Sequence, residues 1–215
     1  MTTHLWVLAA ALGVTGPISW GALVRRDVLA ERLTRPLVGL VLLGLAWSLH
    51  LEGAVDGAPG LVPVLVALSL SLVADLALLN ATSGRFLVAL LALGVANLAW
   101  GWSMVGAARA GGFPWLLLLA LPAVVLVHAR VGRQVVLHAG TQRMPVFLHE
   151  LSLLGLVLVA AWRGDALVLG GCALLAVSGA VLGHDRFALE RRWAPLAALV
   201  TSHLAQLLVV VGLYR

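Results

Sequence analysis

Apolar residues run almost unbroken through this chain, in stretches of membrane-crossing length separated by short polar breaks. The stretches fall at about 4–23, 35–50, 61–80, 84–105, 113–131, 145–162, 165–183 and 194–213. A helix needs roughly 20 mostly apolar residues to cross a bilayer, sometimes fewer. The breaks carry residues that end helices and face water: Arg25-Arg26-Asp27, Asp56-Gly57-Ala58-Pro59-Gly60, Ser83-Gly84, Gly111-Gly112, the polar stretch from Arg130 to Arg143, Arg163-Gly164-Asp165 and Arg191-Arg192. The pattern predicts an all-α, polytopic transmembrane helical bundle of about eight spans. It reads as a single transmembrane domain over residues 1–215, with no soluble domain, long linker or low-complexity segment.

Composition agrees with the pattern. Hydrophobic residues make up 62% of the chain and charged ones 11%, with a mean hydropathy of +1.06. A soluble domain of this length needs far more polar surface. The start, Met1-Thr2-Thr3-His4, has no basic stretch, so the first run reads as a retained span rather than a cleaved signal. Cys172 is the sole cysteine and lies inside an apolar run, which excludes an intramolecular disulfide.

The net charge of +5 and a pI near 11.2 raise the question of nucleic acid. Every basic residue is an arginine, however, and the arginines cluster between apolar runs, where membrane proteins keep topogenic charge. With eight spans, one side holds Arg25, Arg26, Arg32, Arg35, Arg85, Arg130, Arg133, Arg143, Arg186, Arg191 and Arg192, and the other holds Arg109, Arg163 and Arg215. The excess of positive charge on cytoplasmic loops then predicts the first group inside and both termini outside. The expected location is a bacterial-type plasma membrane, crossed several times, with no nucleic-acid partner.

Ionisable groups at bilayer depth are costly and mark functional candidates. Asp75, a few residues from the cytoplasmic end of span three, is the clearest. Ser71 lies one turn earlier on the same face and is placed to hydrogen-bond it. Glu150, beside His149 at the start of span six, lies at similar depth, as does Asp185 after His184 at the end of span seven. The bland alternatives are a structural, Arg-paired carboxylate for Asp75, an interfacial residue for Glu150 and a solvated helix end for Asp185. Ser178 lies two turns before Asp185. His203 and Gln206 are neighbours on one face of span eight, and Asn97 sits inside span four; lone amides of this kind more often join helices than do chemistry. Convergence of these groups would make spans three, four, six, seven and eight enclose a polar cavity open to the cytoplasm. Gly179 and Gly183 form a small-xxx-small pair, expected to serve close helix packing.

Other chemistries find no support. There is no zinc-ligand spacing, no His-Glu-x-x-His, no Gly-x-Ser-x-Gly elbow and no phosphate loop. His128, His138 and His149 show no ligand spacing, so neither a metal nor another cofactor is expected.

Four segments together resemble the YhhN family of membrane proteins, whose characterised animal members are lysoplasmalogenases. Arg35-Pro36-Leu37 before an apolar run is similar to the family's Lys-Pro-Leu. The stretch from Leu68 to Leu79, with Asp75, resembles its Ser-Leu-x-Gly-Asp-x-x-Leu. The stretch from Ala173 to Phe187 resembles its Phe-x-x-Ser-Asp-x-x-Leu-Ala-x-x-Arg-Phe, and Thr201 to Gln206 its Tyr-Tyr-x-Ala-Gln. The likeness spans nearly the whole chain in order and implies eight helices. It implies a catalytic Asp at Asp75, but the family's second Asp falls at Gly179, its span-four His at Asn97, and an aromatic of the last motif at His203.

The reaction that the resemblance implies is cleavage of the vinyl ether of a lysophospholipid to a fatty aldehyde. Protonation of the β-carbon gives an oxocarbenium ion that water captures. The acid must hold its proton near neutral pH, which low-dielectric burial favours, and a second carboxylate must stabilise the cation or activate water, as in glycoside hydrolysis. The expected catalytic set is Asp75 with Glu150 or Asp185. Ser71, Asn97, Ser178, His203 and Gln206 are expected to line the substrate site; Arg35 is a candidate for the lipid phosphate, with simple topogenic charge as the favoured alternative. The alternative is an inactive lipid-binding or lipid-transporting protein on the same scaffold, which Gly179 favours.

Overall fold

In a bilayer every backbone N–H and C=O must find its partner within the protein, and a helix meets that demand within one segment. Each apolar run accordingly forms a helix. The structure is a computed structural model that describes residues 3–52, 60–79, 82–105 and 115–214. The helices are α1 (Thr3–Arg25), α2 (Val28–Leu51), α3 (Leu61–Leu78), α4 (Ser83–Val105), α5 (Trp115–Val127), α6 (Arg133–His138), α7 (Arg143–Arg163), α8 (Ala166–Phe187) and α9 (Ala194–Tyr214). A π-helical turn, His128–Gly132, joins α5 to α6, so these pieces form one rod. No strand occurs among the described residues. Among the described residues, seven of the eight rods are long and apolar enough to cross a membrane. The exception is α2, whose first two turns carry Glu31, Arg32 and Arg35. The breaks expected at Asp56–Pro59 and Gly111-Gly112, the arginines Arg109 and Arg215, and the first two residues lie outside the described residues.

Two boundaries differ from expectation. Helix α2 begins at Val28 rather than at residue 35, because Asp27 caps it, accepting from Ala30 N–H at 3.0 Å. The fifth rod continues to His138, which puts Arg130 and Arg133 on helix rather than in a loop. Elsewhere the polar breaks turn the chain tightly. Gly164 takes φ 84°, open to glycine without strain, and Asp165 then caps α8 by accepting from Leu167 and Val168 N–H at 2.8 and 3.0 Å.

Successive helices pack into a ring: α2 on α3, α3 on α4, α4 on α7, α7 on α8, α8 on α9, and α9 back on α2. Helix α1 lies outside against α2 and α9, and α5 lies outside against α7. One end of the ring collects the eleven arginines grouped above, and Gln142 Nε2 donates to the Ser83 carbonyl across it at 3.0 Å. Toward the other end the interior is filled by buried Leu42, Ala46, Val64, Ala67, Trp100, Val168, Cys172 and Val209. Large apolar side chains also cover the outside, Trp102, Leu119 and Val62 being more than 70% exposed. Helices apolar all round suit a bundle solvated by lipid.

The tightest pair is α8 with α9, where glycine replaces side-chain packing with backbone approach. A Cβ on Gly171 would lie 2.8 Å from the Ala205 carbonyl oxygen and 2.6 Å from Val209 Cγ2. Gly179 and Gly183 serve close packing too, against Leu153 of α7 and Val135 of α6. Gly171→Val is therefore expected to destabilise the fold by about 1–3 kcal/mol. Gly170→Ala, whose Cβ meets nothing within 4 Å, is expected to leave stability unchanged or slightly raised. Heating in detergent with a thiol-reactive fluorophore reads the difference through Cys172, the sole and buried cysteine.

Candidate functional site

Near its arginine-rich end the ring does not fill. A cavity of about 340 Å³ is lined from α2 by Glu31 and Arg35, from α3 by Ser71 and Asp75, from α8 by Ser178, Asp185 and Arg186, and from α9 by Ser202 and Gln206. Apolar walls come from Leu78, Phe86, Leu182 and Leu199 among others.

Arg35 organises one side of it. Its Nε and Nη2 donate to Asp75 Oδ1 at 3.3 and 3.2 Å, and its Nη1 donates to Glu31 Oε1 at 3.2 Å. The three side chains are only 11%, 13% and 16% exposed for Arg35, Asp75 and Glu31. An ion pair that far out of water holds because each charge meets its opposite; removing one member strands the other. On α8, Asp185 Oδ1 accepts from Arg191 N–H at 2.7 Å, and the Arg186 guanidinium lies over the Phe86 ring, 5.3 Å from its centroid. The cavity thus holds three carboxylates and two guanidiniums.

Of the residues singled out in the sequence, Arg35, Ser71, Asp75, Ser178, Asp185 and Gln206 line this cavity. Several of them are engaged locally. Ser71 donates to the Ala67 carbonyl at 2.9 Å rather than to Asp75, and Ser178 donates to the Ala198 carbonyl at 2.7 Å, tying α8 to α9. Gln206 Nε2 donates to Ser202 Oγ at 3.3 Å. His203 sits behind the wall, its Nδ1 accepting from Trp20 Nε1 at 3.2 Å, and its buried Nε2 has no partner among the described residues.

Glu150 and Asn97 are not in the cavity, which corrects the expectation that spans three, four, six, seven and eight enclose it. Span six is α7, and it contributes nothing to the lining. Glu150 turns toward the fifth rod, where Oε2 pairs with His128 Nδ1 at 3.3 Å. Asn97 Nδ2 donates to Ser152 Oγ at 3.0 Å, joining α4 to α7 on their far side. Gly179 also faces α7: a Cβ there would lie 2.6 Å from Leu153 Cδ1 and 3.5 Å from His149 Nε2.

Glu31, Arg186 and Ser202 are polar cavity residues that the sequence reading missed, and Glu31 is the one with a sequence signal. It falls in the break before residue 35, but its spacing to Arg35 is i, i+4, the spacing of an ion pair on one helix face. Arg35→Met is expected to lower stability by about 3 kcal/mol, since two carboxylates lose their counter-charge. Glu31→Gln, which leaves the Arg35–Asp75 pair in place, should lower it much less. Thermal unfolding of the two variants in one detergent checks the order.

Among curated proteins and among solved structures, no match to this chain is found. The profile of the YhhN family matches residues 30–213, nearly the full length and all four of the segments noted above. With that match over most of its length, on an all-helical chain of eight apolar rods, the chain belongs to the YhhN family.

Proposed function

We propose that this protein hydrolyses the vinyl-ether bond of a lysophospholipid, releasing a fatty aldehyde, in the cavity lined by Asp75 and Asp185. The observation that carries the reading is three carboxylates around one cavity of about 340 Å³ with Arg35 among them. That volume is at the lower end for ligand sites. It suits a headgroup with the ether linkage, the rest of the alkenyl chain remaining in the bilayer.

The two carboxylates that matter come from different walls. Asp185, on α8, acts as the acid: Oδ1 is held by Arg191 N–H, leaving Oδ2 to deliver a proton to the β-carbon of the enol ether. Asp75, on α3, faces the oxocarbenium ion that results and guides water onto it. The hemiacetal so formed loses the alcohol and leaves the aldehyde, so one water is consumed and the proton returns to the acid. This is the two-carboxylate logic of glycoside hydrolysis. Glu31 shares the Arg35 guanidinium with Asp75 and so belongs to the same wall, where it holds Arg35 in place. Arg35 and Arg186 offer guanidiniums to the lipid phosphate. Glu150, paired with His128 elsewhere, has no part in the reaction. The arginine clusters support a cavity mouth on the cytoplasmic side of a bacterial-type plasma membrane, with both termini outside.

A second reading is a lipid-binding or lipid-carrying protein without catalysis. It is favoured by Gly179, which stands where the family has its second Asp and faces Leu153 of α7 rather than the cavity. The first measurement is aldehyde release from a lysoplasmalogen by the purified protein in detergent. Asp75→Asn and Asp185→Asn are each expected to lower the rate by roughly 100-fold or more, the scale of general acid–base catalysis. Glu150→Gln should leave it within a few-fold. No release from folded wild-type protein, or release that survives Asp75→Asn, would favour the second reading.

A further inference from the structure

A second groove, of about 540 Å³, opens between α6 and the start of α7 at the arginine-rich end. It shares no lining residue with the Asp75 cavity. Its walls are His128, Arg133 and Arg143 with apolar Val136, Leu137, Met144 and Phe147. Arg133 and Arg143 are exposed, and neither has an acidic partner among the described residues. No carboxylate lines the groove, and the nearby Glu150 is engaged by His128.

The π-helical turn builds this arrangement. On an α-helix, positions five apart point about 140° away from each other, at roughly 100° per residue. Here Arg133 N–H bonds to the His128 carbonyl, the five-residue bond of a π turn, which stacks the two positions. His128 and Arg133 therefore face the same groove. Glu150 packs against the turn at Gly132, where a Cβ would run into its carboxylate, and its bond to His128 Nδ1 fixes the histidine. Arg143 approaches from the first residue of α7. A guanidinium pair beside an apolar wall, at the depth where lipid headgroups lie, matches a phosphate with a hydrocarbon chain attached.

We propose that this groove binds one anionic phospholipid, Arg133 and Arg143 holding its phosphate and Val136, Leu137, Met144 and Phe147 lying along its chain. The site is independent of the hydrolytic cavity and stands whether or not the protein is an enzyme. Its role is to seat the α6–α7 end of the bundle in a leaflet carrying negative charge.

The test is native mass spectrometry of delipidated protein given equal phosphatidylglycerol and phosphatidylcholine. Wild-type protein is expected to retain the phosphatidylglycerol adduct in preference, by roughly thirtyfold for two basic side chains at a lipid surface. R133Q with R143Q should bring the two lipids to parity, while R192Q, an exposed arginine outside the groove, keeps the preference. Melting followed through Cys172 confirms that the double variant is folded. Equal retention of both lipids by wild-type protein overturns the proposal, as does a preference that persists in the folded double variant. Displacement of the lipid by glycerol 3-phosphate at comparable concentration would show a phosphate site without a lipid seat, and also overturns it.

Discussion

A carboxylate inside a bilayer needs a counter-charge, and the polar half of this bundle is organised around the one that Arg35 supplies. Its planar guanidinium reaches Asp75 on α3 with two N–H groups and Glu31 on its own helix with a third. That bond set draws α2 toward α3 close to the rim and leaves the space beyond it polar. Lysine could not do this, since a single ammonium lacks the fixed fork. With the charges settled on one wall, α8 and α9 complete the cavity through Ser178, Asp185 and Gln206, and the rest of the interior can pack dry.

The glycines play the complementary part. Where Gly171 lets α8 approach α9, the interior closes; nearer the arginine-rich end it opens into the cavity. Gly179 belongs to the closing kind. It faces the α7 side chains Leu153 and His149 rather than the Asp75 cavity. A carboxylate at that position would meet α7, and Asp185, less than two turns further along α8, is the acidic group that reaches the cavity.

The spans were legible because long apolar runs and arginine clusters are one-dimensional signals. So was the depth of each buried polar group along its helix. Its direction around the helix was not. A helix apolar on every side has no polar stripe to fix its rotation, so Asp75 and Glu150 look alike in the sequence although one faces the cavity and the other His128. The start of α2 was hidden for a related reason: Glu31, Arg32 and Arg35 read as loop charges, and only the cap by Asp27 and the spacing of Glu31 to Arg35 reveal a helix beneath them. The π turn leaves no trace in hydropathy, so Arg133 reads as a loop residue although it lies on helix.

The plugged lower half of the ring has a further consequence. Buried Trp100, Leu42, Val168 and Val209 seal the interior below the cavity, so nothing can pass through the bundle from one face of the membrane to the other. Whatever occupies the cavity arrives from, and leaves to, a single monolayer. On the proposed reading, a lipid on the opposite monolayer is out of reach until it flips.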